Sequence, residues 1–227
     1  MDMKSDKLAV FDMDGVLTTH RSSWWAVNQH LGTDNAANLK AYRSGEISYR
    51  EFILRDTEMW LSAKPDISRS DIHSIMSGIH LTSGIGEATS YLSERGFIVS
   101  IVSGGLSELS EMVCRVGHFD EVFTNRLTYD ERGQLLPGGE PVVLPGRKDL
   151  KVRLLQERYG IPPERTVAVG DAKIDLSMFV QTKYSISFNA MESEINEYSD
   201  IVIVSNDLMD AATAVIALVE GNTHGKN

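Results

Sequence analysis

From residue 84 onward the sequence alternates between segments with helical periodicity and short β-prone runs. The helical segments separate apolar, β-branched runs at residues 97–102, 166–169, 184–188 and 201–204. A strand that is followed by a helix and then by another strand needs a crossover connection, which is typical of parallel sheets. A short strand at residues 121–123 and a hairpin at residues 127–136 complete the pattern. The sequence therefore predicts an α/β domain built on a parallel sheet with helices on both faces.

Residues 19–80 differ from the rest because they carry helical patterns and almost no strand candidates. Capping serines indicate helix starts near residues 22–23, 48 and 68. All three tryptophans of the chain lie in this segment, and a small helical bundle with an aromatic core is the simplest explanation for them. Such a bundle could also close over a neighbouring site as a lid. We expect a core domain of residues 1–18 and 81–227 and a helical cap domain of residues 19–80.

The composition limits the classes of protein to consider. A chain of 227 residues that is 42% hydrophobic and 24% charged fits one large domain with an insertion. The formal net charge of -10 argues against a nucleic-acid partner, since phosphate backbones are bound by clusters of Lys and Arg. The apolar run at residues 211–219 is too short to span a bilayer, and residues 1–7 do not indicate a signal peptide. We therefore expect no membrane partner and a cytoplasmic location.

Cys114 is the only cysteine, so the sequence offers no internal disulfide and no cysteine metal site. It lies in a predicted amphipathic helix, where we expect it to be a core residue. Disorder is expected only for residues 221–227.

Two closely spaced carboxylates follow the first predicted strand. The apolar run at residues 8–11 leads directly into Asp12 and Asp14, which are separated by one residue. Two acids held this close repel each other unless a cation neutralises them or one carries a proton. A metal-bound carboxylate can attack phosphorus, and a protonated one can donate to a leaving group. Alone, the pattern also fits an acidic turn after a strand.

Further polar groups follow other predicted strands or begin a helix. Ser103 with Gly104 and Gly105 offers a hydroxyl and accessible backbone N–H groups, although such a run also forms ordinary tight turns. Lys148 stands at a helix start, where it could be solvated or could reach inward to a transferring phosphoryl group. Asp171, with Asp175 four residues on, supplies oxygen ligands of the kind that Mg²⁺ prefers. Four such features in one α/β domain favour a functional reading of all of them.

In these motifs the sequence resembles the haloacid dehalogenase superfamily of phosphohydrolases, and within it the phosphoserine phosphatase-like group. The matching pieces are residues 12–18 (DMDGVLT), 103–105 (SGG), Lys148 and 170–179 (GDAKIDLSMF). Further likeness lies in residues 125–127 and in the helical insertion. The resemblance covers most of the chain and implies a Rossmann-like core with an inserted helical cap.

The resemblance also implies a role for each matching residue. Asp12 would be the nucleophile that forms an aspartyl-phosphate, and Asp14 would protonate the leaving alcohol and then activate water. The ligands implied for Mg²⁺ are Asp12, the backbone carbonyl of Met13, Asp14 and Asp171, with Asp175 in support. The groups implied for binding the phosphoryl oxygens are Ser103, Lys148 and the backbone at Gly104 and Gly105.

The sequence departs from the phosphoserine phosphatases where they bind the amino acid part of the substrate. Arg21 stands about where a glutamate usually meets the substrate amine, and it could contact an acidic group or be a solvated hinge residue. The cap arginine that would bind the substrate carboxylate corresponds to a position near Asp56, with Arg55 beside it. Ile174 replaces the usual asparagine of the last motif. We therefore expect a substrate other than L-phosphoserine.

These observations predict a Mg²⁺-dependent phosphatase whose partner is a small phosphorylated metabolite, with the oligomeric state left open. A phosphotransferase that passes the phosphoryl group from the same aspartate to a second alcohol is the nearest alternative. A phospho-aspartate signalling module such as a response-regulator receiver is a further one. The acid at Asp14 and the large insertion argue against the receiver.

Overall fold

The computed structural model of the protein describes residues 5–221, and within them it shows an α/β fold around one sheet. The sheet has seven strands in the order β4-β3-β2-β1-β5-β6-β7. All neighbouring strands pair in parallel except β3 and β4, which are antiparallel. The strands are β1 (Lys7–Phe11), β2 (Phe97–Leu106), β3 (Glu121–Tyr129), β4 (Leu135–Glu140), β5 (Thr166–Gly170), β6 (Tyr184–Phe188) and β7 (Ile201–Ile203). The predicted fold class is confirmed.

Nine α-helices of the described chain surround or cap this sheet. They are α1 (Ser23–Leu31), α2 (Ala36–Arg43), α3 (Tyr49–Ala63), α4 (Arg69–Ser77), α5 (Ile85–Ser93), α6 (Ser107–Val113), α7 (Asp149–Tyr159), α8 (Leu176–Phe179) and α9 (Leu208–Glu220). Short 3₁₀ helices lie at Pro163–Arg165, Lys173–Asp175 and Ser193–Tyr198. Within the described residues, no helix combines the length and the apolar character needed to cross a membrane.

Strand β1 lies at the centre of the sheet and is buried on both faces. Leu8 and Val10 pack into one hydrophobic cluster, which includes α7, while Ala9 and Phe11 pack into the other, which includes α5 and α9. This alternation follows from the period of two along a strand. Helices on both faces leave the ends of the parallel strands as the place where polar groups can gather.

The helix starts predicted in the insertion are present. Ser22, Ser48 and Ser68 each accept a backbone N–H in the first turn of α1, α3 and α4. The expected aromatic core is only partly correct, because Trp24 and Trp60 are buried but Trp25 is 52% exposed.

Two predicted strand limits were wrong. Strand β2 does not end at residue 102 but continues through residues 103–105 to Leu106, with a register shift against β3. The strand at residues 121–123 and the first arm of the hairpin are one strand, β3, because its first half pairs with β2 and its second half with β4. The sequence signal was interrupted by polar residues that lie inside both strands.

The expectation that Cys114 is a core residue was also wrong. Helix α6 ends at Val113, so Cys114 is its C-terminal capping residue and is exposed. The disorder predicted for residues 221–227 falls, apart from Gly221, outside the described residues.

The cap boundaries stay a prediction, but the ends of residues 19–80 meet in space. Thr18 and Leu81 form an antiparallel bridge, and the Thr19 N–H donates to the His80 carbonyl. The β3–β4 hairpin also packs against the cap, since the Gly138 N–H donates to the Thr57 hydroxyl of α3 at 2.7 Å. The insertion therefore leaves and rejoins the core at adjacent points.

Candidate active site

The candidate site lies at the carboxyl ends of β1, β2 and β5, which are neighbours in the sheet. Asp12 follows β1, Ser103 lies near the end of β2, and Asp171 follows β5. Lys148 precedes α7, and its side chain reaches inward and is fully buried. We call the side chains at this place the catalytic floor: Asp12, Asp14, Ser103, Lys148, Asp171 and Asp175.

A buried lysine joins two of the carboxylates. Lys148 Nζ lies 2.8 Å from Asp12 Oδ1 and 2.5 Å from Asp175 Oδ1. Burial favours the neutral amine, but Asp12 and Asp175 outweigh it and raise the pKa of Lys148. Burial and the charge of Asp12 raise the pKa of Asp175 to about 6, against the opposing effect of Lys148. The lysine is thus a fixed cation.

Asp175 also organises the turn that follows β5. Its Oδ2 accepts the backbone N–H groups of Asp171, at 3.0 Å, and Ala172, at 3.1 Å. These bonds hold the backbone of Asp171 in place, and a supporting role of Asp175 at a metal site stays a prediction.

The Asp171 carboxylate is buried and accepts no hydrogen bond from the described residues. Burial, and then the charges of Asp12 and Asp175, raise its pKa to about 8. One carboxylate oxygen from each of these three aspartates lies within 4.8 Å of the others. Gly15 allows this approach, because a Cβ there would lie 2.1 Å from Asp171 Oδ2. Three carboxylates this close together, of which Asp171 accepts no hydrogen bond from the described residues, fit a divalent cation such as Mg²⁺, which prefers oxygen ligands.

Asp14 is held apart from this cluster by Ser23. Its Oδ2 accepts the Ser23 hydroxyl at 2.9 Å and the Ser23 N–H at 3.0 Å, while its buried Oδ1 has no partner among the described residues. Burial raises the pKa of Asp14 to about 7, although the Ser23 N–H opposes this and Asp12 adds to it. A carboxyl group of that pKa can both give and take a proton near neutral pH.

Ser103 and the two glycines form the end of strand β2, beside Asp14. The Gly105 N–H donates to the Ser103 hydroxyl at 3.2 Å. A Cβ on Gly105 would lie 2.7 Å from Asp14 Oδ2, so a larger residue would displace the carboxylate. The Gly104 carbonyl accepts a hydrogen bond from Trp24 Nε1 at 3.0 Å, which ties α1 to the end of β2. Helix α6, which follows β2, has only seven residues.

Of the three residues predicted to recognise the substrate, only Arg21 lines the cavity above the catalytic floor. Arg21 is exposed and lines a cavity of about 420 Å³ above the floor, together with Ile174. Arg55 lies on the surface of α3 and pairs with Glu51 at 2.7 Å, outside that cavity. Asp56 is fully buried and accepts Nδ2 of the asparagines at positions 35 and 38. The structure thus brings neither Arg55 nor Asp56 to this cavity, and specificity roles for these two residues stay predictions.

Several residues of the site were missed by sequence reasoning. In the sequence Ser23 indicates only a possible helix cap, yet its hydroxyl binds Asp14. Asn125 carries only part of the family likeness in the sequence, whereas in the structure its Nδ2 donates to the Gly104 carbonyl and to the Tyr49 hydroxyl. The cavity is also lined by cap residues that we call the cap-side wall: Trp24, Trp25, Tyr42, Arg43, Tyr49 and Phe52. The aromatic residues could have been suspected from their density, but no motif marks Arg43.

Comparison with known families agrees with this geometry. Residues 9–179 match the sequence model of a family described as haloacid dehalogenase-like hydrolase, and residues 146–216 match a second one with the same description. The chain belongs to the haloacid dehalogenase-like hydrolase family. The matched region includes Asp12 and Asp171, so the family covers both ends of the catalytic floor.

Similar proteins of this family are phosphoserine phosphatases. That of Methanocaldococcus jannaschii is 27% identical over 212 residues, which is 91% of this chain and 96% of the relative. That of Idiomarina loihiensis is 29% identical over 91% of this chain and 92% of the relative. The match to the Archaeoglobus fulgidus enzyme spans 93% of this chain but only 60% of the relative, at 27% identity.

Solved structures show the same relation. A phosphoserine phosphatase with an analogue of its phospho-aspartyl intermediate superposes with a TM-score of 0.75 at 26% identity, over 93% of this chain and 99% of that one. These relatives confirm the prediction of a phosphoric monoester hydrolase of the haloacid dehalogenase-like family. They do not favour the phosphotransferase alternative, and membership of a hydrolase family argues against the receiver.

Proposed function

We propose that the protein is a Mg²⁺-dependent phosphatase that hydrolyses a small phosphomonoester through an aspartyl-phosphate on Asp12. The observation that carries this proposal is the buried arrangement of the catalytic floor. Lys148, a fixed cation, contacts Asp12, which is itself one of the three clustered carboxylates that could hold a metal ion. Asp14, beside it, has a pKa of about 7. Phosphoryl transfer requires these elements, namely a nucleophile, charge neutralisation and a proton donor.

Asp12 and Asp171 would hold Mg²⁺, with Asp175 behind them. The Met13 carbonyl, which the resemblance implied, is a poor candidate because it accepts the backbone N–H groups of residues 16, 17 and 18. The Asp14 carbonyl accepts no hydrogen bond from the described residues and adjoins Gly15, which packs on Asp171. We assign the carbonyl, and not the Ser23-bound carboxylate of Asp14, to the ion. When bound, Mg²⁺ would neutralise charge on the phosphoryl oxygens.

The remaining steps use the side chains of the chain itself. An oxygen of Asp12 attacks phosphorus while Lys148 and Ser103 bind the phosphoryl oxygens. Asp14 donates its proton to the leaving alcohol as the ester P–O bond breaks. It then takes a proton from the water that attacks the aspartyl-phosphate. This step regenerates the Asp12 carboxylate and releases inorganic phosphate.

The substrate would be a small phosphorylated metabolite other than phosphoserine, although the similar proteins are phosphoserine phosphatases by name. The acids that line the cavity are Asp12, Asp14 and Asp171, all in the catalytic floor. Arg21 stands where an acid would be needed to meet an amino group. An amino acid phosphate would therefore lack a counter-ion for its ammonium group.

The test is phosphate release from a panel of phosphomonoesters, including O-phosphoserine, in Mg²⁺ or in EDTA. We expect release that depends on Mg²⁺ and that Asp12→Asn lowers by at least about 1,000-fold, since the nucleophile is lost. Asp66→Asn, which alters an aspartate whose side chain is 83% exposed, is the matched control and should retain activity. Release that survives EDTA or Asp12→Asn would contradict the proposal.

A further inference from the structure

The cavity above the catalytic floor has an unusual wall. Four of the six residues of the cap-side wall come from α1 and α3, and all but Arg43 are aromatic. Phe52 lies at the centre, with its ring centroid 5.7 Å from Tyr42, 5.7 Å from Tyr49 and 6.4 Å from Trp24. The rings thus form one connected aromatic surface that faces the place where a leaving alcohol would lie.

Hydrogen bonds to Gly104 and Asn125, which lie beside the catalytic floor, hold two of these rings in position. Trp24 Nε1 donates to the Gly104 carbonyl at 3.0 Å, and the Tyr49 hydroxyl accepts Asn125 Nδ2 at 3.0 Å. Asn125 Nδ2 also donates to the Gly104 carbonyl, at 2.9 Å. Because the Trp24 N–H and the Tyr49 hydroxyl are engaged with Gly104 and Asn125, these rings offer mainly carbon surface to the cavity. A surface already ordered in this way binds a flat apolar group at a low entropic cost.

Trp25 extends the aromatic surface towards solvent. It is 52% exposed, and its ring stacks on His20 with centroids 5.2 Å apart. A single exposed tryptophan needs no special explanation. Here, however, its ring lines the same cavity as the other four, so it continues a surface that a ligand would cover.

The charges of the cavity wall are positive. Arg21 and Arg43 both line the cavity, and neither lies within 4.0 Å of a carboxylate of the described residues. The acids of the cavity belong to the catalytic floor, where Lys148 already pairs with Asp12. Arg21 also acts at longer range on the Asp171 carboxylate, where it opposes the rise in pKa that burial causes. Two guanidinium groups without an ion-pair partner among the described residues favour a planar anion such as a carboxylate and disfavour an ammonium group.

We propose that this cavity selects a phosphomonoester whose alcohol carries an aromatic ring and a second anionic group. The ring packs against the cap-side wall, and the anion meets Arg21 and Arg43. The proposal rests on the proposed phosphatase function and adds the class of substrate to it.

Three synthetic esters of primary alcohols separate the two parts of the proposal: propyl phosphate, benzyl phosphate and 4-carboxybenzyl phosphate. We expect kcat/KM to rise about tenfold from propyl to benzyl, since the ring gains the aromatic contacts. A further rise of about tenfold is expected from benzyl to 4-carboxybenzyl, since the arginines then bind the carboxylate. Equal kcat/KM for the three esters would overturn the proposal while leaving the phosphatase function intact.

Variants assign each preference to its residue. Arg43→Gln should abolish most of the preference for 4-carboxybenzyl over benzyl phosphate, measured as the ratio of their kcat/KM values. Arg55→Gln, which removes an arginine of the cap outside the cavity, is the matched control and should keep the preference. Trp25→Ala should lower the benzyl-to-propyl ratio severalfold, and Tyr198→Ala, which removes a ring that is 63% exposed elsewhere, should not.

Binding separates a failure of this proposal from a failure of the phosphatase function. If no ester is hydrolysed in Mg²⁺, the proposed function fails, and the cavity is tested by calorimetry with 4-carboxybenzylphosphonate and propylphosphonate. Tighter binding of the aromatic phosphonate by about tenfold or more, lost in Arg43→Gln, would still support the proposed ligand class. Equal binding of the two phosphonates would overturn it.

Discussion

The catalytic floor and the cap-side wall face the same cavity, but they are built on different principles. In the floor, charged groups are buried and position one another: Lys148 contacts two carboxylates, and Asp175 holds the backbone that carries Asp171. In the wall, packed rings supply the surface, and Arg43 at its edge has no ion-pair partner among the described residues. A change in the floor should therefore disturb several groups at once, whereas a change at the wall should alter one contact with a ligand.

This contrast separates what the reaction needs from what the substrate needs. The floor lies in the region that matches the family, and in the proposed mechanism it acts on the phosphoryl group alone. The wall lacks an acid to pair with an amine, and Asp56 is turned into the cap, where two asparagines bind it. Substrate choice can thus change in this fold without a change in the chemistry.

The largest effect is expected from Lys148→Met. Removal of the buried cation leaves Asp12 and Asp175 without their partner, so the free energy of unfolding should fall by about 3–5 kcal/mol in metal-free buffer. Mg²⁺ should restore part of that loss, and phosphatase activity should fall at least about 100-fold because a phosphoryl-binding cation is gone. Urea denaturation with and without Mg²⁺ measures the first effect and phosphate release the second.

Lys173→Met provides the control for that comparison. Lys173 pairs with Glu194 at 3.1 Å, but both side chains are more than half exposed, at 52% and 54%. Its loss should therefore change the free energy of unfolding far less than the loss of Lys148 does, because exposed ion pairs contribute little. If the two lysine variants were equally stable, the floor would not depend on its buried cation.

Gly15→Ala should weaken the metal site. Its φ of 83° disfavours any side chain, and the added Cβ would meet Asp171 Oδ2. We expect the Mg²⁺ concentration for half-maximal activity to rise about tenfold or more, because Asp171 must move away from Asp12. Gly45→Ala introduces the same strain, at a φ of 76°, but with no atom within 4 Å. An equal rise in Gly45→Ala would show that backbone strain alone is responsible.

Ser23→Ala should shift the pH dependence of catalysis. The Ser23 hydroxyl stabilises the ionised form of Asp14, so its removal should raise the pKa of that carboxyl further above its present value of about 7. Asp14 then stays protonated to higher pH, so the alkaline limb of the plot of kcat/KM against pH should shift to higher pH. We also expect kcat to fall about tenfold, since the donor is less well positioned.

Ser22→Ala is the control for this pH shift. Ser22 caps α1 by accepting the Trp25 N–H and does not contact Asp14. Its loss should cost stability without moving the alkaline limb. If the alkaline limb does not shift in Ser23→Ala, Ser23 does not control the protonation of Asp14 during catalysis.

The smallest effect is expected in the cap, from Ser68→Ala. Ser68 and Asp71 form a reciprocal capping box at the start of α4, and the Ser68 hydrogen bonds hold the pKa of Asp71 below its usual value of 3.8. Loss of the cap should cost about 1 kcal/mol at pH 7. Because the folded pKa is lowered, this contribution is present above pH 4 or so and is lost as the pH falls through the folded pKa.

Thermal denaturation at pH 7 and pH 3 tests the cap prediction. Ser62→Ala, on the exposed face of α3, should show almost no change at either pH. Catalytic constants should be unaltered in Ser68→Ala. An equal loss of stability at both pH values would show that Asp71 does not contribute through its charge.

The sequence predicted most of the fold and the catalytic floor because both leave local signals. Apolar runs that end in Asp12 or Asp171 indicate buried strands with polar groups at their ends. The inward course of Lys148 could only be proposed, since a helix start accepts a solvated lysine equally well. The joining of β3 into one strand depends on pairing with two different partners, which no local pattern reveals.

The wall could not be predicted because its residues meet only through tertiary packing. Trp24 and Trp25 are adjacent in sequence, yet one is buried and the other is 52% exposed. Asp56 is a candidate only because an ungapped alignment with the phosphoserine phosphatases places it near their cap arginine. The structure turns its side chain away from the cavity. Cytoplasmic location and the cap boundaries at residues 19–80 stay predictions.

The contact between the hairpin and the cap has a consequence for attempts to shorten the protein. Strand β4 is the edge of the sheet, and α3 covers it, with the Leu135 N–H also bound to the Ile67 carbonyl at 2.9 Å. Without residues 19–80, this edge would present unpaired backbone groups and the apolar Leu135 to solvent. Exposed edges of that kind recruit strands from other molecules. The cap thus shields the sheet from self-association, and a minimal core would have to lose or redesign the hairpin as well.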